Sequence, residues 1–421
     1  MIKKNILNRI LFSFAVFIAL ACLWDNDTIE METKQFPDTL DLMTGNFLRH
    51  SKEYYHWRIL DRRDKLRQFP DSLDYYDDLA VSYSKLGQDS MAIQLMLKKD
   101  SIAPGEYRTM ANLGTFYVHH GDSKTGKKYI ETAIKINPDA HFGRERIQLE
   151  LVKYALNKRD NGVIGLPLCE ETPAWIYGRH RRNKPFNFYK HLIKAKISVE
   201  EGVKGVEGML RFGNFDSPVL LEALGDVLLQ DNGGRDMNPP RNLATMAYLK
   251  AGIEAPKYEK IYHEKAKVAF EAVGDSRKKY KEVSDRLTNG IKKGKENFAR
   301  IRANEIFWIL NGMDPEAEYK KHYYDNDAEN RVNFEAEGSE AYHDLAPDSV
   351  SAALLQYLDQ IKSPPKVDSA KIQNHLSAEK VADKDPEEIR SEPIVHFWLM
   401  IGIATVVGVL LVILAIIRRR R

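Results

Sequence analysis

Residues 73–106 read LDYYDDLAVSYSKLGQDSMAIQLMLKKDSIAPGE, and residues 107–140 read YRTMANLGTFYVHHGDSKTGKKYIETAIKINPDA. The two segments agree at fixed offsets: Leu79, Ala80, Tyr83, Gly87 and Pro104 return 34 residues later as Leu113, Gly114, Tyr117, Gly121 and Pro138. Self-similarity at such a period marks one supersecondary unit stacked on a copy of itself. Leu79 and Tyr83 are four residues apart and share one helical face. Ala92, with Gly126 at the same place in the second copy, lets a second helix cross that face closely. Gly87 and Gly121 permit the turn between the helices, while Pro104 and Pro138 stop the second one. At the next small position the second copy has Ala133, whereas the first departs with Lys99.

This pattern resembles the tetratricopeptide repeat. The resemblance implies an all-α solenoid of helical hairpins whose first helices line a concave, peptide-binding groove. Carried over by repeat position, that groove comprises Asp74, Asp77, Val81, Ser84 and Lys85, then Arg108, Ala111, Thr115, Val118 and His119. Members that clamp a C-terminal carboxylate carry Lys and Asn where Asp77 and Val81 stand, so that mode is not implied here. The implied partner is a protein or peptide.

Looser copies surround the clear pair. Asn242 to Pro256 reads as a second helix, Leu224-Gly225 with Leu228 as its first, and Ser198 with Glu201 as a capping box opening another helix. Gly205 and Met209 fall at small and large positions of that helix, and Tyr54 to Phe69 reads as half a repeat. Further helices are expected at about 141–156, 258–272, 276–300, 302–312 and 349–361, and no segment alternates at period two over a useful length.

The two ends carry targeting signals. Lys3, Lys4 and Arg9 precede the apolar run Ile10 to Trp24, which contains the small-x-small pattern Ala19-Leu20-Ala21. That reads as a secretory signal at 1–21. Cys22 directly after it keeps open a lipidation at that thiol, and an uncleaved signal is a third reading. From Phe397 to Ile417 no side chain is charged, and Arg418 to Arg421 follow. A helix of that length spans roughly 31 Å, the thickness of a bilayer core. The arginines set its orientation, tail inside and bulk outside the cytoplasm.

The expected fold is therefore all-α: a helical-hairpin solenoid with additional helices, plus one C-terminal transmembrane helix. By residue, 1–21 is the signal, 22–157 a repeat lobe, 158–185 a loop or junction and 186–361 a second, degenerate helical lobe. A solvated, disordered stalk at 362–394, the membrane helix at 395–417 and a cytoplasmic basic tail at 418–421 complete it. A bacterial inner-membrane protein facing the periplasm suits this layout; a eukaryotic type I protein, with a glycosylation sequon at Asn26, is the other. Ala404 and Gly408 form a small-xxx-small pair through which two anchors could touch as a homodimer.

Composition and motifs narrow the chemistry. Sixty-three basic residues against 60 acidic, a net charge of +3, argue against a nucleic-acid surface, and two cysteines exclude a disulfide framework. Gly121 to Lys127 mimics a phosphate loop, but Lys128 stands where a magnesium-binding hydroxyl belongs and no strand precedes it. His119 and His120 are adjacent and point about 100° apart on a helix, a poor metal pair. No motif calls for a cofactor. Arg179 to Arg182 with Lys184, Phe186, Phe188, Tyr189 and Lys190 reads first as a charged loop followed by the apolar face of a helix, and second as an anion-binding stretch. The expected function is a membrane-anchored scaffold that binds protein or peptide on the non-cytoplasmic face, not an enzyme. The alternative is a cell-envelope enzyme with an unfamiliar site after residue 258.

Overall fold

Glycine at the turn and small residues at the helix crossing are what the two copies share, and they set the helix boundaries in space. The structure, a computed structural model, describes residue 25 and residues 36–138, 144–157, 159–160, 163–169, 187–230, 239–271, 279–324, 334 and 336–339. Helix α1 runs Thr39–Thr44 and α2 Lys52–Gln68. Next come α3 (Leu73–Lys85), α4 (Asp89–Ile102), α5 (Tyr107–His119) and α6 (Ser123–Ile136). Every boundary of the α3–α4 hairpin recurs in α5–α6 after 34 residues. Gly87 and Gly121 sit at φ of 75° and 93°, the left-handed region that a side chain disfavours, and turn each hairpin.

The crossing depends on the small residues. Ala80 and Ala92 are fully buried. A Cβ on Gly114 would lie 2.6 Å from a carbon of Ile130, and one on Gly126 would lie 2.7 Å from the Gly114 carbonyl oxygen. The backbones of α5 and α6 thus touch directly, and a larger residue at either place would separate them.

The chain continues through α7 (Arg144–Leu156), α8 (Phe188–Lys194), α9 (Val199–Phe212), α10 (Pro218–Leu228), α11 (Pro239–Glu254) and α12 (Glu259–Glu271). The capping box is present: Ser198 Oγ accepts from the Glu201 N–H, and Glu201 accepts from the Ser198 N–H. Between α10 and α11, Gly225 admits the Tyr248 ring, which a Cβ would meet at 2.7 Å. The fold is all-α, and the strands among the described residues are a two-residue antiparallel pair, Arg159–Asp160 with Val163–Ile164.

One expectation is corrected. The segments 276–300 and 302–312 form one helix, α13 (Tyr280–Leu310), because no glycine or proline interrupts the backbone near Arg300. It is followed by α14 (Pro315–Tyr319), whose last turn widens into a π-helix through Tyr324. Helix α13 returns to pack on α1, α2 and α11.

That return is specific. A Cβ on Gly294 would fall 2.3 Å from the Thr44 carbonyl oxygen, and one on Gly290 would fall 2.7 Å from the Thr44 methyl. Beyond the glycines, Asn297 donates to Asn46 at 2.7 Å and Arg302 holds Glu53 at 2.6 Å. The Glu305 carboxylate bonds His50 Nδ1 at 2.6 Å and accepts the Ser51 N–H at 2.8 Å. Among the described residues no helix is long and apolar enough to cross a membrane; the anchor at 395–417, the signal, the stalk and the helix expected at 349–361 lie outside them.

Helix propensity and packing make opposite forecasts at Gly294. Alanine is the better helix former by about 1 kcal/mol, yet its Cβ would meet backbone of α1 that cannot swing aside. Gly294→Ala is expected to destabilise the folded unit by about 1–3 kcal/mol in thermal or urea unfolding.

Candidate binding surface

The positions expected to line a groove divide into covered ones and an open rim. At the rim, Asp74 lies in the first turn of α3 and Arg108 in the first turn of α5, one repeat apart. Arg108 Nη1 donates to Asp74 Oδ1 at 2.9 Å, with Asp74 58% and Arg108 23% exposed.

One turn deeper, Asp77 is fully buried, which corrects its expected place on an exposed face. The reason is Lys99. This lysine replaces the small residue that the second copy keeps as Ala133, and only 1% of its side chain is exposed. Its ammonium donates to Asp77 Oδ2 at 2.7 Å and lies 3.0 Å from Glu106. Asn112 donates to the other Asp77 oxygen at 3.3 Å. Burial pushes the Asp77 carboxyl up to about 7, although Lys99 and Arg108 oppose the shift. The sequence shows Lys99 as a departure from the repeat pattern, and only the fold reveals that Asp77 compensates it.

The wall is covered by the chain itself. Val81, Ala111 and Thr115 are buried, and Phe212, the last residue of α9, belongs to the same apolar cluster as Val81 and Ala111. Lys85 donates to the carbonyl oxygens of Phe212 and Gly213, so its amine is held among peptide groups and falls to about 8 through burial. Thr115 Oγ1 accepts from Gln148 of α7 at 3.1 Å. Ser84 donates to Asp89 at 2.7 Å, Val118 is half-buried against the cluster of Ile130, Leu149 and Val152, and His119 is exposed with Nδ1 3.9 Å from Asp89. Gly213 lets α9 stop there: a Cβ would meet the Met209 carbonyl oxygen at 2.6 Å.

What remains open is a recess of about 480 Å³ lined by Leu73, Asp74, Lys99, Glu106, Tyr107 and Arg108. It combines two apolar walls with accessible carboxylates and two cations, a surface suited to a polar chain with mixed charges. The phosphate-loop mimic is part of the hairpin, with Gly126 pressed against Gly114. Among the described residues, no group of three or more His, Cys, Asp or Glu is placed to hold a metal ion. Cys22 and the basic stretch Arg179 to Phe186 lie outside those residues, while Phe188 is fully buried at the start of α8.

A second polar cluster sits in the main core. Glu222 accepts from the N–H groups of Leu168 and Cys169 at 2.7 and 3.1 Å, from Tyr262 at 2.8 Å and from Lys265. Asp226, one turn on, accepts from Tyr248 at 2.8 Å and the Phe188 N–H at 3.1 Å. Burial and Glu222 raise its carboxyl, against the pull of Lys265, to about 6. These carboxylates pin 168–169 and α8 onto α10. They are enclosed and do not line the recess. No family model matches this chain, and no curated protein matches it.

The buried pair predicts a pH-dependent variant. Lys99→Met leaves the Asp77 carboxyl with Arg108 3.9 Å away as the nearest cation, at a cost of about 3–5 kcal/mol. The Asp77 carboxyl already lies above its unfolded value of 3.8, so the folded state holds a proton that the unfolded chain has released. Stability therefore falls as pH rises from about 4 through about 7, and without Lys99 it is expected to fall further. Urea midpoints between pH 5 and 8 measure this; adding Asp77→Leu is expected to restore most of the loss.

Proposed function

We propose that this chain is a tetratricopeptide-type scaffold, held at a membrane by the helix at 395–417 and binding a protein or peptide partner on the non-cytoplasmic face. The observation that carries the reading is the pair of hairpins in one 34-residue register, with Ala80, Ala92, Gly114 and Gly126 at their crossings. Hairpins so stacked present the same position of successive repeats side by side, as Asp74 and Arg108 are, and a partner reads that row. The signal at 1–21 and the arginines at 418–421 support export of the bulk.

The docking place in this reading is the rim, because α9 and α7 cover the inner wall. Its recess offers Asp74 and Glu106 to basic groups of the partner and Leu73 and Tyr107 to apolar ones. The basic stretch with Arg181 and Arg182, outside the described residues, is the rival read from the sequence.

Cross-linked capture from membranes tests the site. Reversing the rim with Asp74→Lys and Arg108→Glu is expected to reduce capture of the wild-type partner at least several-fold while the melting temperature moves little, since exposed pairs contribute about 0–1 kcal/mol. Capture that survives the rim change and disappears with Arg181→Glu and Arg182→Glu moves the site to the loop. Topology has its own test: protease added to spheroplasts is expected to degrade the helical unit, and full protection with sealed membranes contradicts export.

A further inference from the structure

The second half of α13 carries charge of nearly one sign. From Arg286 to Arg300 there are five basic residues, Arg286, Lys292, Lys293, Lys295 and Arg300, against one acidic, Glu296. Fifteen residues thus hold an excess of four positive charges, where the entire chain of 421 has a net charge of +3. The inward side of this stretch is fixed, for Gly290 and Gly294 lie against 44–46 and Leu287, Asn297 and Ile301 are buried. At about 100° per residue, Lys292 then points away from the core, with Lys295 on one flank and Lys293 and Arg286 on the other. All four are exposed, Lys292 with 78% of its side chain in solvent. Arg300 belongs to the packed side, where it donates to Asn297 at 3.2 Å.

The neighbours of these cations do not neutralise them. Glu296 lies 3.9 Å from Lys292 with both side chains mostly in water, a pair that contributes little. Asp41 of α1 faces Lys293 but is already bonded to Asn46 at 2.7 Å. Among the described residues Arg286 and Lys295 have no ion pair. The first half of the same helix shows what a solvated face looks like: Lys281, Glu282 and Asp285 mix their signs, with Lys281 and Asp285 4.0 Å apart. Beyond Arg286 that mixing stops. Flexible cations fanned over about 14 Å of a convex helix match an extended negative surface rather than a shaped ligand. Anionic lipid is such a surface, and each Lys or Arg brought to it adds its own increment of attraction. Nucleic acid is the other polyanion, and the balanced charge of the chain and the signal at 1–21 argue against it. The anchor read at 395–417 keeps the unit beside lipid. We propose that the face of α13 formed by Arg286, Lys292, Lys293 and Lys295 docks the helical unit onto the anionic phospholipid headgroups of the membrane that holds the chain. The inference rests on the anchored reading given above.

The full chain is to be reconstituted in nanodiscs of phosphatidylcholine, alone or mixed with phosphatidylglycerol, and its lysines acetylated and followed by mass spectrometry. Lys292, Lys293 and Lys295 are expected to react several-fold more slowly in the anionic discs, with the protection fading at high salt. Lys127 of α6, 36% exposed, is the internal reference for any general loss of reactivity near anionic lipid. Equal rates in the two lipids, or a slowing that Lys127 shares in full, overturn the proposal. Lys292→Gln with Lys295→Gln removes two exposed charges, so the melting temperature is expected to stay while Lys293 returns toward its rate in neutral lipid. Lys292→Arg with Lys295→Arg keeps the charge and is expected to keep Lys293 protected. Undiminished protection of Lys293 in the glutamine variant overturns the docking. A chain that elutes apart from the discs removes the anchor instead, and co-sedimentation with vesicles of the same two compositions then decides the face. Binding to the anionic vesicles that the glutamine pair weakens supports it, and no binding overturns it.

Discussion

Direct contact between helix backbones is the constraint on which the rest of this structure depends. Where Gly126 meets the Gly114 carbonyl not even a methyl has room, and where Ala80 and Ala92 are fully buried in α3 and α4 the space is filled by a methyl. Close crossing holds the two helices of each hairpin in contact. Phe212 packs in the apolar cluster of the first two repeats, and α13 packs on α1 and α2. The same device closes the far side, for Gly290 and Gly294 let α13 lie on the backbone of 44–46. Each of these glycines weakens its own helix by about 1 kcal/mol relative to alanine, and packing outweighs that cost.

Buried charge is the second theme, and it gathers where the helical pattern is interrupted. Lys99 fills a place meant for a small residue and is tolerated because Asp77 and Glu106 receive its ammonium. Glu222 and Asp226 lie in the apolar core and are satisfied by N–H groups of segments without helical partners of their own, at 168–169 and at the start of α8. In each case the polar group costs desolvation and returns definition: it ties a segment that apolar packing alone would leave free to slide.

How much of this was legible depended on the distance over which the cause acts. The hairpins are specified by residues within one repeat, so Gly87, Gly121, Pro104 and Pro138 marked their ends in the sequence, and the capping box at Ser198 marked the start of α9. The groove assignment for Val81, Ala111 and Thr115 followed from repeat position alone. It missed their burial, because the residues that cover them, Phe212 and Gln148, come from α9 and α7 and carry no local sign of where they land. Asp77 was misplaced for a related reason: its partner lies 22 residues away, on the opposite helix of the hairpin. Lys99 was visible as a departure from the pattern, and a carboxylate one helix away was the clue that it had been absorbed. The continuity of α13 was missed because two positions of its buried face, Gly294 and Asn297, are not apolar and so interrupt the apolar periodicity that a sequence shows.

The division between wall and rim has an energetic meaning for binding. On the wall, Lys85 is bound to two carbonyl oxygens and Thr115 to Gln148, so a partner entering there would first have to displace α9 and leave those groups unpaired. At the rim, the Asp74–Arg108 pair is open to water and contributes at most about 1 kcal/mol, so a partner's charges can exchange with it at little cost. Beneath it, Asp77 and Lys99 hold the floor of the recess in place while the surface pair is exchanged. A yielding ion pair over a fixed one is what the proposed recognition by charge calls for: the upper layer is free to exchange, and the lower layer holds the two repeats in register.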